Sequence, residues 1–547
     1  MKKSNFLFII FFLLVVWNKT YSQGSHDFEI SKNLDIYTSL IQQLNLHYVD
    51  DIEPGRLSKI AIDAMLKDID PYTVYYPESD IEDVRFLQTG KYGGIGSFIH
   101  IKDGDIVVGM PYPGFPFYKA GIRAGDIIIK IDNEPVKGKK MSDISDRLRG
   151  VAGTDVSIVY KDAKAGLEHE VNIKREEILV KDVPYFGMLN KNTAYIKLVG
   201  FKQHAAKEVK DAIDSLRKHN NVESLVLDLR NNGGGLLIEA VKILDLFVDR
   251  GETIVSTKGK TKVENNTYKT QMPALYPDMK VVVIVNNKSA SASEIVAGSF
   301  QDLDRGVILG QKSYGKGLVQ KVFPLSYRAQ AKITVAKYYI PSGRCIQSLN
   351  YQHKDINGKA IRIPDSLMAT FTTKNGRKVK DAGGIIPDIK MNALKYSQLA
   401  IELTNKYEIF DFATLFVNSY DSIVNIDNFE ISDELYNQFV DFVQKDSFDY
   451  ALGLEKELKK IKSLAQKDSV NISSEIEAIE KKLDSQKKED IFTYKKEIKS
   501  LLKSEIVSRY FYMSGKVKAQ LSDDNEIKEA EELLKNNEKY SQILGLK

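Results

Sequence analysis

The chain has 547 residues, enough for about three or four domains of ordinary size. Its 78 Lys and Arg residues nearly balance its 74 Asp and Glu residues, for a net charge of +4, so nothing indicates a nucleic-acid-binding surface. One cysteine excludes an intramolecular disulfide, and 7 scattered histidines without an HExxH pattern give no support to a metal site.

The first 22 residues have the composition of an export signal. The basic Met1-Lys2-Lys3 precedes twelve apolar residues from Phe6 to Trp17, and small residues up to Ser22 suit cleavage before Gln23. Twelve apolar residues are short for a membrane-spanning helix, so we expect a signal peptide over residues 1–22. The mature protein is then expected in the periplasm or another extracytoplasmic compartment, with membrane association only if the signal stays uncleaved.

Residues 23–85 predict a helical segment. Apolar residues from Leu34 to Tyr48 recur at the spacing of an amphipathic helix, and Asp70-Pro71-Tyr72-Thr73 predicts a turn after it. A pair of surface helices would show the same pattern. This segment therefore gives no indication of function by itself.

Two glycine-containing stretches stand out in residues 86–176: YGGIG at 92–96 and KAGIRAGDII at 119–128. Together they resemble the carboxylate-binding loop and the core of PDZ domains, which are β-barrel-like modules with short helices. The resemblance implies that amides of the first stretch receive a peptide's terminal carboxylate and that the following strand pairs with the peptide by β-augmentation. The side chains predicted to contact the ligand favour an apolar last residue; the predicted contact residues are Gly93, Gly94, Ile95, Gly96, Phe98 and Leu148.

Residues 177–392 predict an α/β core. Strands are expected at 193–198 and 224–230 with a helix at 205–219 between them, and this βαβ order favours a parallel sheet. The second strand runs into the glycines of NNGGG at 231–235, where free backbone amides before the next helix could hold an oxyanion. For this motif taken alone, a turn that merely starts a helix is the better interpretation.

The stretch from Val281 to Gln320 carries the strongest indication of chemistry. A buried strand runs into SASAS at 289–293, and a serine at such a strand-to-helix turn is exposed beside the free amides of the helix. A second short strand leads to Gly315-Lys316-Gly317, whose glycines allow the lysine amine to turn inward. A serine and a buried lysine suggest a Ser/Lys dyad, in which the neutral amine takes the hydroxyl proton.

A phosphate-binding loop is the competing interpretation, because Gly310–Lys316 fits the pattern G-x-x-x-x-G-K. Gly317 then stands where a P-loop has Ser or Thr, and the following LVQKVFPL predicts a strand rather than a helix. Spacing alone leaves Ser289, Ser291 and Ser293 open as the nucleophile.

The stretches SASASEIVAGSFQD, SYGKGLVQ and DLRNNGGG are together similar to the active-site signature of the C-terminal processing peptidases, also called tail-specific proteases. In that family a nucleophile stands 25 positions before the lysine and a glutamine four after it, which implies Ser291, Lys316 and Gln320. The resemblance also implies an oxyanion hole from the amides of Gly234 and Ala292, with Gly233 or Gly235 if the register slips by one. It covers about residues 30–392 and implies a crotonase-like core with an inserted PDZ domain and no cofactor.

Residues 393–547 differ in character from the rest of the chain. Charge rises, glycine becomes rare, and segments such as 454–464 carry apolar residues at helical spacing. We expect a helical extension, which is a candidate for a homodimer contact or for binding an adaptor. A role in stability alone fits the same composition.

The sequence as a whole predicts an exported serine endopeptidase that recruits polypeptides with free, apolar C-termini through its PDZ domain. The order of the domains suggests that the PDZ domain obstructs the site until a tail binds. An inactive PDZ scaffold is one alternative, against which the intact Ser-Lys-Gln spacing speaks. A crotonase-like acyl-CoA enzyme is another, although it would need neither a PDZ insertion nor an export signal.

Overall fold

The computed structural model describes residues 26–420, 422–423, 425–445 and 448–546, so the predicted signal peptide lies outside the described residues. The chain divides into two compact units, one with residues up to Tyr75 together with 322–333, the other with residues 76–321 and 334 onward. None of the described helices combines the length and the hydropathy needed to cross a membrane.

The first unit contains two helices, α1 over residues 26–47 and α2 over Pro54–Ile69. Pro54 suits the first position of α2, because the amide that proline lacks would have no partner in the helix. The helix ends at Asp70, whose carboxylate accepts hydrogen bonds from the amides of Tyr72 and Thr73 and so forms the predicted turn. The short strand β1 (Val74–Tyr76) follows.

The PDZ region folds as an antiparallel sheet with short helices. Its elements are α3 (Ile81–Thr89), β2 (Lys91–Gly94), β3 (Ser97–Lys102), β4 (Asp105–Pro111), α4 (Pro116–Lys119), β5 (Ile127–Ile131), β6 (Glu134–Pro135), α5 (Met141–Leu148), β7 (Asp155–Lys161), β8 (Glu168–Lys174) and β9 (Glu176–Leu179). The strand order is β3-β4-β5-β7-β8, which leaves β3 at the edge. Ile106 and Val108 of β4, whose side chains point to the same side of the strand, are fully buried in the core of this region.

The peptidase core contains a six-stranded sheet of order β10-β11-β12-β15-β16-β23. The elements from 185 to 390 are β10 (Tyr185–Met188), β11 (Thr193–Lys197), α6 (Ala205–Arg217), β12 (Ser224–Asp228), α7 (Leu237–Leu244), β13 (Thr253–Gly259), β14 (Asn266–Lys269), β15 (Lys280–Val285), α8 (Ala292–Asp302), β16 (Val307–Gly310), β17 (Leu318–Pro324), β18 (Gln330–Tyr339), β19 (Leu349–Lys354), β20 (Ala360–Arg362), β21 (Thr370–Thr372), β22 (Lys378–Lys380) and β23 (Ile389–Lys390). Within this six-stranded sheet, β11, β12, β15, β16 and β23 pair in parallel, as the βαβ order predicts, and β10 adds an antiparallel edge. LVQKVFPL forms strand β17, which agrees with the interpretation that disfavoured a P-loop.

All regular secondary structure described in the extension, residues 393–547, is α-helical. Its helices are α9 (Gln398–Asn405), α10 (Glu408–Ser419), α11 (Asp433–Lys445), α12 (Gly453–Lys467), α13 (Ser473–Thr493), α14 (Lys495–Leu521), α15 (Asn525–Lys535) and α16 (Asn537–Ile543). Residues of α9, α10, α11 and α14 share one apolar core of their own, which includes Phe412, Phe439 and Ile498.

The last two helices belong structurally to the peptidase core. Alternate residues of β15 point to opposite faces: Val281 and Val283 pack with α6, α7 and α8, whereas Val282 and Ile284 pack with α15 and α16. The buried Tyr540 hydroxyl completes the contact, because it lies 3.0 Å from both the amide and the carbonyl oxygen of Val281. The sheet is therefore covered on its second face by the end of the chain.

Candidate active site

Ser291 lies between β15 and α8, as the residue that caps the helix. The two neighbouring serines are fully buried in hydrogen bonds to the backbone: the Ser289 hydroxyl donates to the Leu229 carbonyl at 2.8 Å, and that of Ser293 to the Asn232 carbonyl at 2.9 Å. Ser291 is the one of the three that is partly exposed. Spacing alone leaves all three serines open as candidates for the nucleophile, and burial distinguishes Ser291 from the other two.

The backbone of Ser291 has φ 56° and ψ −114°, a conformation that residues with a side chain rarely adopt. Such strain persists only where surrounding contacts hold it, and it is concentrated at functional sites. Here the Ser291 amide donates to Glu294 at 2.9 Å, and the Ser291 carbonyl lies 3.2 Å from the Tyr338 hydroxyl.

The buried carboxylate of Glu294 joins the serine turn to the lysine loop. One oxygen accepts from the Ser313 hydroxyl at 2.5 Å and the Gly315 amide at 2.7 Å; the other accepts from the amides of Ser291 at 2.9 Å and Lys316 at 2.8 Å. Burial raises the pKa of Glu294, and these four hydrogen bonds oppose the rise. A single side chain therefore fixes two segments that are 25 residues apart.

From its position in the chain alone, Glu294 is an acidic residue in the first turn of α8, where the helix dipole favours a negative charge. The pattern S-x-x-E, a capping box, was the available sign that its side chain returns to the Ser291 amide. Nothing local predicted its bonds to the Ser313–Lys316 loop, since they arise when β16 places that loop beside α8.

Lys316 is half-buried, and its backbone is held on both sides. Its amide donates to Glu294, and its carbonyl oxygen accepts from the Tyr338 hydroxyl at 2.7 Å. The neighbouring glycines are needed: Gly315 has φ 89°, and a β-carbon on Gly317 would lie 2.8 Å from the Gln347 amide nitrogen. Tyr338, which no sequence pattern singled out, thus provides a second link between the backbone of Ser291 and that of Lys316.

The structure brings Gly234 against the serine turn. A β-carbon on this residue, whose φ is 97°, would lie 2.8 Å from Ser291 Cβ and 2.9 Å from the amide nitrogen of Ala292. The Ala292 amide donates to no acceptor among the described residues. The Gly234 amide, in contrast, donates to the Asn232 side chain at 2.9 Å, so only one of the two predicted oxyanion donors is free of a protein partner here.

Gln320 lies on β17 and is half-buried. Its side-chain nitrogen donates to the Thr334 hydroxyl at 3.2 Å, across the hairpin formed with β18. The side chain is thus oriented by the hairpin in this structure.

Arg230 anchors the start of the glycine loop in a charged network. It pairs with the fully buried Asp228 at 2.6 Å, and Lys197 lies 3.0 Å from the same carboxylate. Burial alone would raise the pKa of Asp228, but Arg230 and Lys197 hold it well below its usual value. From the end of the chain, Asp524 and Glu526 each reach the Arg230 guanidinium at 2.6 Å.

In the PDZ region, the predicted loop separates into two parts. Gly93 and Gly94 belong to β2, where they pair with β9. Ile95 and Gly96 follow between strands, and their amides donate to no acceptor among the described residues. These two amides fit the part of the predicted loop that would bind a carboxylate.

The apolar residues of the predicted peptide site do not all lie together. Ile95 and Leu148 are buried in the same cluster, whereas Phe98 is 58% exposed and lies outside it. Phe98 instead stacks at 6.4 Å with the ring of His100, two residues further along β3. Leu148 and Phe98 thus have different surroundings.

The extension packs on β3, the edge strand of the PDZ sheet. The buried His100 ring stacks at 4.0 Å on Tyr407, and Lys102 forms an ion pair with Asp411. Arg509 of α14 donates to the Gly109 carbonyl at 3.2 Å. Burial lowers the pKa of His100 to about 4, and the positive charge of Arg509 acts in the same direction. The C-terminal helices therefore support the strand that would receive a peptide.

Three family models match successive parts of the chain. Residues 107–162 match the PDZ domain, residues 192–357 match peptidase family S41, and residues 399–534 match the C-terminal helical domain of probable PDZ-proteases. The fold and these matches define a serine peptidase with a PDZ domain and a helical extension.

The chain belongs to peptidase family S41. It is 33% identical over 321 residues to the carboxy-terminal-processing protease of Bartonella bacilliformis, covering 58% of this chain and 73% of that one. It is 33% identical over 389 residues to a probable CtpA-like serine protease of Staphylococcus aureus, covering 69% and 74%. Among solved structures, the photosystem II D1 C-terminal processing protease is 26% identical, covers 65% of this chain and 92% of its own, and has a TM-score of 0.34.

These relatives confirm the resemblance to C-terminal processing peptidases and the prediction of a serine peptidase. The predicted fold class, a mixed α/β protein with a PDZ domain and a C-terminal helical region, is confirmed as well. Membership of the family removes the acyl-CoA enzyme from consideration.

Proposed function

We propose that the protein is an exported endopeptidase that binds polypeptides by their free, apolar C-termini and cleaves them with Ser291 as nucleophile and Lys316 as general base. The observation that carries this proposal is the double link between the two residues. Glu294 and Tyr338 each bind the backbone of both segments, so the serine and the lysine are held in one rigid unit.

The reaction follows from the chemistry of these groups. Lys316, acting as the neutral amine, takes the Ser291 hydroxyl proton while the oxygen attacks the substrate carbonyl. The protonated amine then gives that proton to the leaving nitrogen as the peptide bond breaks and the acyl-enzyme forms. A water molecule, deprotonated in turn by Lys316, attacks the ester, and Ser291 regains its proton when the acid leaves.

The developing oxyanion would be held by backbone amides. The Ala292 amide at the start of α8 is oriented by the helix and benefits from its dipole. We assign the second donor to Gly234, whose amide must leave the Asn232 side chain to reach the oxyanion. Release of this hydrogen bond when substrate binds would separate a resting state from an active one.

Recognition of the substrate is assigned to the PDZ domain. The amides of Ile95 and Gly96 are suited to a terminal carboxylate, the edge strand β3 to an extended tail, and Leu148 on α5 to an apolar last side chain. The names of the relatives, carboxy-terminal-processing and CtpA-like proteases, agree with such a substrate. Export is proposed from the composition of residues 1–22, and N-terminal sequencing of the mature protein, expected to start at Gln23, tests it.

The direct test is cleavage of an unstructured protein with an apolar free C-terminus, compared with the same protein amidated at that end. We expect Ser291→Ala and Lys316→Ala to abolish cleavage, and Lys288→Ala, which changes an exposed lysine three residues before the serine, to leave it unchanged. Cleavage by Ser291→Ala at the wild-type rate would refute the assigned nucleophile. A wild-type protein that binds tails but never cuts would favour the inactive scaffold.

A further inference from the structure

Each of the six backbone polar groups of the lysine loop, Gly315–Gly317, is bound by a group from elsewhere in the chain. Four of the six are bound by the side chain of Glu294 and by the hydroxyl and amide of Tyr338. The other two, the first carbonyl and the last amide of the loop, are bound by residues 345–348, a segment without regular secondary structure. Because a buried backbone group without a partner is costly, this complete pairing fixes the path of the loop.

Gln347 binds the last amide of the loop. Its side-chain oxygen accepts from the Gly317 amide at 2.7 Å, and its side-chain nitrogen donates to the Leu349 carbonyl at 2.9 Å. Both polar atoms of this side chain are thus in use, and the residue is only 6% exposed. The bond to Leu349 orients the side chain so that its oxygen faces the amide that directly follows Lys316.

Ser348 holds the same segment against the other end of the loop. Its amide donates to the Gly315 carbonyl at 2.9 Å, and its hydroxyl lies 3.2 Å from that oxygen. Ile346 is fully buried in the core of the peptidase region, and its carbonyl accepts from the Gly384 amide at 3.0 Å. The segment is therefore built into the core, and Gln347 reaches the lysine loop from a fixed support.

A glutamine at this position suits a neighbouring general base. A general base must be neutral to take a proton, and a negative charge nearby would favour the protonated amine. Glu294 already places one carboxylate against the loop, and the four hydrogen bonds that it accepts offset its charge. Gln347 supplies the remaining acceptor without adding a second charge.

We propose, on the assignment of Lys316 as general base made above, that Gln347 is a positioning residue for Lys316. It holds the amide that follows the lysine, and because it is uncharged it does not favour the protonated amine. The role differs from that of Gln320, whose side chain donates to the Thr334 hydroxyl.

The first test replaces Gln347 by methionine, which has a similar length but no strong acceptor. We expect kcat for a tailed substrate to fall at least about 30-fold while KM stays within about twofold, because the lysine moves and the peptide site does not. Thr193→Val is the control: it removes a buried hydrogen bond to Ser224, 2.9 Å long, away from the loop, and kcat should stay within about twofold. Wild-type kcat in Gln347→Met, or an equal loss in Thr193→Val, would overturn the proposal.

A second variant, Gln347→Glu, keeps an acceptor and adds a charge. The acidic limb of kcat/KM against pH, where activity rises as the base loses its proton, is expected to move to higher pH by about one unit. Above that limb, kcat should exceed that of Gln347→Met, since the Gly317 amide again has a partner. An unmoved limb, or no recovery of kcat at any pH, would overturn the proposal.

Lys316→Ala, measured in parallel, separates this inference from the proposed function. Loss of cleavage in Lys316→Ala together with wild-type kinetics in Gln347→Met would refute the positioning role alone. Cleavage by Lys316→Ala at the wild-type rate would refute the general base itself and the positioning role with it.

Discussion

The Arg230 guanidinium donates to a carboxylate oxygen of Glu526 at 2.6 Å, across 296 residues of chain. Arg230 opens the loop that carries Gly234, and Glu526 lies in the first turn of α15. Asp524, which caps α15 by accepting from the amides of Glu526 and Ile527, binds the same guanidinium. The loop assigned to the oxyanion hole is thus anchored partly by the end of the chain.

Breaking this anchor should weaken the core and the site together. We expect Glu526→Gln to lower the free energy of unfolding by about 1–3 kcal/mol, because a buried guanidinium loses one of its charged partners. The value of kcat should fall while KM stays near its original value, since the loop and not the peptide groove moves. Urea unfolding and steady-state kinetics measure both. Glu532→Gln, an exposed residue of the same helix, is the control, and equal effects from the two substitutions would contradict the assigned anchor.

Glu294→Gln should separate the serine turn from the lysine loop. The amide has one acceptor oxygen where the carboxylate has two, so two of the four donors at Ser291, Ser313, Gly315 and Lys316 lose their partner. We expect kcat to fall about 100-fold through misplacement of the reacting groups. Single-turnover cleavage detects this loss. Ser313→Ala removes one donor and leaves the carboxylate, so it should cost less; a larger loss from Ser313→Ala would argue against Glu294 as the common link.

Two neighbouring glycines should respond differently to alanine. Gly234→Ala places a β-carbon 2.8 Å from Ser291 Cβ in a backbone conformation unsuited to alanine, and we expect activity to fall at least about 100-fold. Gly233→Ala meets no atom within 4 Å and is expected to cleave nearly as the wild type does. Comparable kcat/KM values for the two variants would show that the close approach of Gly234 to the serine turn does not matter for catalysis.

The contact between the PDZ domain and the extension should weaken in acid. His100 is neutral in the folded protein with a pKa of about 4, against 6.5 ordinarily, so the unfolded chain binds the proton more readily. The stability due to this histidine is present above pH 6.5 and is lost as pH falls towards 4, by about 2 kcal/mol. Besides burial, the positive charges of Arg509 and Lys102 disfavour protonation of the ring, and the negative charge of Glu505 offsets their effect only in part.

Urea unfolding of the wild type and His100→Gln at pH 7, 6 and 5 measures this dependence. The difference in stability between the two proteins should shrink as the pH falls, because only the wild type carries the titrating ring. His219→Gln, at an exposed position, should follow the wild type at every pH. A constant difference between the wild type and His100→Gln would show that this ring does not titrate on unfolding.

The sequence by itself determined the local features of this protein. The strand, turn and helix around Ser291, the glycines beside Lys316, the parallel sheet and the PDZ region are all encoded in short patterns of spacing and backbone preference. They could be predicted because a helix start, a tight turn or a buried strand depends on a few adjacent residues.

Only the tertiary structure decided which distant groups share the site. The links of Glu294 to the Lys316 loop, of Tyr338 to the segments of Ser291 and Lys316, and of Glu526 to Arg230 join residues that no periodicity relates. The same holds for the Asn232 side chain, which occupies the Gly234 amide. A buried polar group must find a partner wherever packing places one, and that partner is set by how the elements pack together rather than by its neighbours in the chain.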